Sequence, residues 1–169
     1  MAALQELEDR IRGLEARLEE VEAVQEIQRL KAHYGALVDA RLERGVDDAR
    51  REALAAQISE LFTEDAVWDG GEGLGLCEGR EAIRERMRNS TLLFTWHYFL
   101  KPQIRVEGDR ARGTWDILAP CTGQDGTPLW MAGVEEDEYT RVQGRWLHTR
   151  MNLRVVFMCP YERGWARRK

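Results

Sequence analysis

Cysteine and histidine are both scarce in this chain, basic charge is in deficit, and no segment is a long apolar run. Each shortage excludes something. The 169 residues include three cysteines, Cys77, Cys121 and Cys159, widely spaced and without a C-x-x-C pair. Neither a disulfide framework nor a zinc knuckle is indicated, and reduced thiols in a cytoplasmic protein fit that pattern. The three histidines, His33, His97 and His148, form no H-x-x-x-H or H-E-x-x-H motif, so no metal site is expected. A net charge of -5 argues against a sequence-independent nucleic-acid surface, which needs clustered Lys and Arg. The one basic cluster, Arg163 to Lys169, reads as a solvated tail. Met1 to Glu20 is dense in Glu and Arg, which makes it neither a signal peptide nor a membrane span. The glycine run from Gly70 to Gly75 lacks the G-x-G-x-x-G register and the G-K-[ST] ending, and Glu72 would repel phosphate; it reads as a lid or turn. No nucleophile elbow is present.

A hydrophobic content of 43% supports one domain with a real core plus an appendage. The appendage is the amino terminus. Leu4, Leu7, Ile11, Leu14, Leu18 and Val21 recur at alternating steps of three and four, the seam of a coiled coil, with Glu and Arg on its flanks. After Val21 the spacing changes to Val24, Ile27, Leu30, Tyr34 and Leu37 or Val38, so helix continues while its apolar face rotates toward a globular core. The first segment either pairs with another helix or packs on its own domain; three heptads are short for independent coiling. Further helices are expected from about Val46 to Phe62 and from Glu81 to Arg88, with a short strand at Ala66–Asp69 between them.

Beyond residue 95 the period becomes two. Segments 95–100, 103–107, 111–120, 129–142 and 146–159 read as strands, with hairpin turns at Glu107-Gly108-Asp109 and Gln143-Gly144. Antiparallel strands after a block of helices make an α+β domain whose curved sheet wraps helices around a pocket. In the last strand Leu147, Thr149, Met151, Leu153, Val155 and Phe157 share one face, and Trp146, His148, Arg150, Asn152 and Arg154 the other. Asp116 shares a face with Thr114 and Leu118.

Three side chains stand out chemically. Tyr34 and Asp39 lie on one helix, and His97 sits in the run Thr95-Trp96-His97-Tyr98-Phe99. A phenol donates a hydrogen bond, an imidazole titrates near neutrality, and a carboxylate orients the imidazole or moves a proton itself. Five residues apart on a helix is about 140° of rotation, so Tyr34 and Asp39 flank a groove, with small Ala32, Gly35 and Ala36 on that edge. Each has a plainer reading too: Tyr34 as core, Asp39 as a cap, His97 as a structural histidine, and Asp116 and Arg150 as partners of each other. His33 and His148 read as outward-facing or strand-bracing.

The run Leu61-Phe62-Thr63-Glu64-Asp65-Ala66-Val67-Trp68, Gly79 before a helix carrying Ile83-Arg84, Gly108-Asp109-x-Ala111 and Gly144-Arg145-Trp146, in that order, resemble the SnoaL-like branch of the nuclear transport factor 2-like superfamily over about residues 24–158. The resemblance implies a cone-shaped α+β barrel with a deep pocket, a helical extension at 1–23, a domain at 24–160 and a tail at 161–169. Within that group the chain is most similar to the bile acid 7α-dehydratase type, which Tyr34, Asp39, His97, Asp116 and Arg150 match. That similarity implies a cofactor-independent dehydration or isomerisation of a small hydrophobic cyclic carbonyl or hydroxy compound, such as a steroid or polyketide. His97 would be the base, Asp116 its orienting partner, Tyr34 the hydrogen-bond donor and Asp39 an auxiliary acid or base. Arg150, Trp68, Phe99, Trp115 and Trp130 would contact the substrate. A homo-oligomer, dimer or trimer, is expected, with no membrane or nucleic-acid partner. Two other roles stay open: a non-catalytic binding or assembly module, and the accessory subunit of a ring-hydroxylating dioxygenase.

Overall fold

The computed structural model describes residues 1–166, without the side chains of Ala2 and Glu72; the end of the basic tail, 167–169, lies outside the described residues. Helix α1 (Ala2–Ala40) runs unbroken from the exposed heptad segment into the domain. Its seam residues Leu4 to Val21 are all exposed, whereas Ala23, Ile27, Tyr34, Leu37 and Val38 are buried. The change of apolar spacing read after Val21 is thus the point where the helix meets its own core. Helix α2 (Asp48–Ser59) starts where the Asp47 side chain accepts a hydrogen bond from the Arg50 backbone N–H at 2.7 Å, an N-cap that fixes the start two residues later than the periodicity suggests.

Strand β1 (Phe62–Asp69), the one-turn helix α3 (Gly71–Leu74), strand β2 (Leu76–Glu78) and helix α4 (Arg80–Arg88) follow. The glycine run is therefore partly helical, closed by Gly75 at φ 84°, which suits a residue without Cβ. Then come β3 (Leu92–Thr95), β4 (Tyr98–Glu107), β5 (Arg110–Gly123), β6 (Pro128–Val142) and β7 (Arg145–Pro160). The sheet runs β2-β1-β7-β6-β5-β3, with β4 also on β5. β5, β6 and β7 form a long antiparallel meander, and β1 pairs parallel with β7. The sheet curls around the second half of α1, with α2 and α4 closing one end, so an α+β cone forms. Among the described residues no helix is long and apolar enough to cross a membrane.

Two irregularities position the interior. β3 and β4 both pair with β5, β3 along Cys121–Gly123 and β4 along Arg110–Leu118, so the single strand expected at 95–100 is broken at Trp96-His97. In β7, Glu138 pairs with Arg150 but Tyr139 with His148, leaving Thr149 as an extra residue. Such a bulge reverses which residues face inward. The uniform alternation expected along this strand is corrected accordingly: Trp146 and His148 point inward before the bulge and Met151 and Leu153 after it, while Arg150 is exposed.

A polar network crosses the apolar core. The fully buried Lys31 ammonium on α1 donates to Glu135 and, at 2.7 Å, to Asp137 on β6. Tyr139 donates its hydroxyl proton to Asp137 at 2.7 Å and accepts from Trp115 Nε1 at 3.0 Å. Lys31 also lies 4.5 Å from the centre of the Phe99 ring. Burial lowers the Lys31 pKa, but the two carboxylates outweigh it and the net shift is upward. Burial, only partly offset by Lys31, pushes Asp137 up to about 6.

Candidate active site

The strand break between β3 and β4 aims His97 at the last turn of α1, where Asp39 receives it. Asp39 Oδ2 accepts a hydrogen bond from the His97 backbone N–H at 2.8 Å, and Oδ1 accepts from the Thr95 hydroxyl at 3.1 Å. Oδ1 also lies 2.5 Å from His97 Nδ1. An ionised carboxylate only accepts, so Nδ1 carries the hydrogen and Nε2 is left with a lone pair. The ring stacks on Phe99, centroids 5.9 Å apart and planes 11° apart. Gly35 on α1 makes room for that ring: a Cβ there would stand 2.8 Å from Phe99 Cε2.

His97 stands between two spaces. On one side is an inner cavity of about 60 Å³ under the sheet, lined by Tyr34, Trp68, Arg41, Thr95, Cys121 and Glu135 with aliphatic side chains between them. On the other is an open groove of about 690 Å³ between α1 and β4, lined by Asp39, Ala32, Gly35, Ala36, Phe99 and Trp115 among others. The small residues on the α1 edge thus line a groove, as their position beside Asp39 suggests.

Tyr34 is buried, and its hydroxyl accepts a hydrogen bond from Trp68 Nε1 at 3.2 Å. Burial, reinforced by the charge of Glu135, raises its pKa, so the phenol keeps its proton and can donate it to a ligand oxygen. Burial and the nearby Asp39 charge push the Cys121 thiol up to about 11, which disfavours it as a nucleophile. His148 is fully buried against Phe62 and Tyr139; burial first, then the Lys31 charge, hold it neutral well below its ordinary pKa. His33 faces solvent.

Three expected site residues lie elsewhere. Asp116 does not orient His97: it is on the outer face of β5, partly exposed, and paired with Lys101. Inward positions on β5 are Trp115 and Ile117, so strand alternation turns Asp116 outward. Arg150 is turned out by the β7 bulge, and Trp130 alternates with inward-facing Met131 and so lies on the outer face of β6. The carboxylate that holds the histidine is Asp39, distant in sequence and on another element. Thr95, Arg41, Glu135 and Lys31 were missed as candidates. The inward alternation of Glu135 and Asp137 with Met131 and Tyr139 on one strand was the available signal, since carboxylates on a buried face need a cation. Among the described residues no group of three or more His, Cys, Asp or Glu side chains could hold a metal ion.

Comparison with known proteins agrees with this fold. A hexachlorocyclohexane dehydrochlorinase, LinA type 2, superposes with a TM-score of 0.69 at 23% identity, over 83% of this chain and 89% of that one. A Novosphingobium aromaticivorans protein described as an aromatic ring hydroxylase matches with a TM-score of 0.68 at 26% identity, over 83% and 94%. A nuclear transport factor 2-like protein with a cystatin-like fold from the same organism matches with a TM-score of 0.69 at 25% identity, over 85% and 88%. No curated protein sequence matches the chain. The SnoaL-like domain profile matches residues 19–152, which spans the second half of α1, the helices and the sheet through the β7 bulge, and the chain belongs to the SnoaL-like domain family.

Proposed function

We propose that this protein is a cofactor-independent acid/base lyase or isomerase acting on a small, largely hydrophobic cyclic carbonyl or hydroxy compound, with steroid and polyketide skeletons as the substrate class and the bile acid dehydratase type as a functional analogue. The observation that carries the reading is the Asp39–His97 pair at the junction of cavity and groove, 2.5 Å between Oδ1 and Nδ1. Asp39 fixes the tautomer and stabilises the imidazolium that forms, which leaves Nε2 to remove a proton next to a carbonyl or leaving group. The C–H electrons become the new double bond. In a dehydration the hydroxyl departs as water, taking its proton from the imidazolium; in an isomerisation the same proton returns to a different carbon. Tyr34 donates its hydrogen bond to the oxygen on which negative charge develops. Thr95 keeps the Asp39 carboxylate aimed, and Trp68, Phe99 and Trp115 provide apolar and aromatic contact surface. The protein works in the cytoplasm as a homo-oligomer built through the exposed segment of α1 and the outer face of the sheet.

A test is turnover of a panel of cyclic hydroxy ketones, followed by the ultraviolet absorbance of the enone, with His97→Ala beside the wild type. Loss of a general base lowers turnover by about 10²- to 10⁴-fold while ligand binding persists. Wild-type protein that binds these compounds and turns none over would overturn the enzyme reading in favour of a binding module. The likeness to a described aromatic ring hydroxylase supports a second reading as its accessory subunit; co-purification with a larger iron-containing chain would favour that one.

A further inference from the structure

Arg41, one residue past the end of α1, is 7% exposed and lines the inner cavity. One guanidinium nitrogen donates to the Met87 carbonyl at 2.9 Å, but the buried Nε has no hydrogen-bond partner. Among the described residues no carboxylate pairs with it. Asp39, two residues back, commits its oxygens to His97 and Thr95, and Glu135 across the cavity is committed to Lys31. A second guanidinium, Arg86, lines the same cavity, donating to the Leu74 and Asn89 carbonyls and the Thr91 hydroxyl; no carboxylate pairs with it among the described residues. A buried cation is costly unless an anion or full hydrogen bonding compensates it. The helix carbonyls explain a cation near this terminus, but not a buried Nε without an acceptor.

We propose that Arg41, with Arg86 beside it, binds a carboxylate on a ligand whose apolar body lies toward the groove, so the ligand class is a small hydrophobic carboxylic acid. This rests on the reading that the ligand site spans the inner cavity and the groove at His97, because about 60 Å³ admits a carboxylate group but not a whole ring. The experiment is calorimetric titration of the full chain with benzoate and with its neutral analogue benzamide, repeated on Arg41→Met. Benzoate should bind at least about ten-fold tighter than benzamide, and Arg41→Met should abolish that preference while still binding benzamide. Equal binding of the two probes by the wild type overturns the carboxylate assignment alone. Binding of neither overturns the cavity reading and the assignment with it. If Arg41→Met fails to fold, Arg41→Lys, which retains charge without the planar fork, should weaken the benzoate preference without removing it; an unchanged preference counts against Arg41.

A second, independent observation concerns the exposed half of α1. With Leu4, Ile11 and Leu18 at heptad position a and Leu7, Leu14 and Val21 at d, position e is Glu8, Glu15 and Glu22, and position g is Arg10 and Arg17. The six seam residues are 46–61% exposed. Among the described residues no intrachain ion pair engages Arg10, Glu15, Arg17 or Glu22. In a parallel pair each g residue meets the partner's next e residue, which sets Arg against Glu; in an antiparallel pair g meets g and e meets e, which sets like charges together. The buried residues Ala23, Ile27 and Tyr34 and the partly buried Leu30 continue at positions f and c, which places the domain on the side of the helix away from the seam.

We infer that this segment binds a second copy of the chain as a parallel two-stranded coiled coil. The inference rests on the homo-oligomer reading above. Sedimentation equilibrium of the full chain should give a dimer. Arg10→Glu/Arg17→Glu and Glu15→Arg/Glu22→Arg variants should each shift toward monomer, with unchanged circular dichroism of the domain, and their mixture should restore the dimer. A monomeric wild type overturns self-association altogether. A dimeric wild type whose charge-reversed variants stay equally dimeric overturns the parallel pairing alone, and a three-chain assembly overturns the two-stranded form.

Discussion

Replacing Lys31 by Met should expose how much of this fold hangs on one buried cation. The substitution keeps volume and apolar stem but leaves Glu135 and Asp137, both nearly inaccessible to solvent, facing each other without a counter-charge. To fold at neutral pH the variant must either bury those charges or take up protons. Removing one partner of a buried ion pair costs about 3–5 kcal/mol. For a domain of this size that is a fall in Tm of roughly 6–20 °C. The sign of the pH dependence follows from the same carboxylates. Their folded pKa values lie above the unfolded ones, near 4 for both groups, so the folded state holds extra protons in that window and stability falls as pH rises through it. Two carboxylates give up to about 2.7 kcal/mol per pH unit. The wild type shows the same sign more weakly, through Asp137, shifted up to about 6. Lys31, raised above its unfolded pKa, contributes a constant term anywhere below about 10. The variant should therefore lie close to the wild type near pH 4.5 and far below it at pH 8. Urea unfolding at those pH values measures this, and the triple variant Lys31→Met/Glu135→Gln/Asp137→Asn should recover much of the loss at pH 8. A loss under about 1 kcal/mol that does not vary with pH would refute the reasoning.

Three further outcomes follow. Gly35→Ala drives a methyl to 2.8 Å from the Phe99 ring and should cost about 1–3 kcal/mol in urea unfolding, with a distorted His97 stack. Tyr139→Phe leaves Trp115 Nε1 without an acceptor and Asp137 short of one donor, a loss of about 1–3 kcal/mol by the same assay. Asp116→Asn, by contrast, breaks only a surface pair with Lys101; stability should change by less than about 1 kcal/mol and enone formation not at all, and a large loss of turnover would restore Asp116 to the site.

Much of the architecture is legible in the residues because it depends on local period. The steps of three and four on α1, their change after Val21, and the alternation of β5 and β6 each record one element's burial. Helix rotation per residue is constant, so the sequence by itself separated Tyr34 from Asp39 around α1 and put Ala32, Gly35 and Ala36 beside Asp39; in the structure those four line the groove while Tyr34 lines the inner cavity. Tertiary structure decided what meets across elements. Asp39 reaches His97 only because β3 and β4 share one edge of β5 and break at Trp96-His97, which no local pattern announces. Arg150 faces outward because one extra residue, Thr149, has no partner on β6, and that mismatch exists only in the pairing of two strands. Glu135 and Asp137 share a strand face with Met131 and Tyr139, but that Lys31 is their counter-charge was decided only when α1 came to lie inside the curled sheet. Periodicity is a property of one segment; partnership is a property of two.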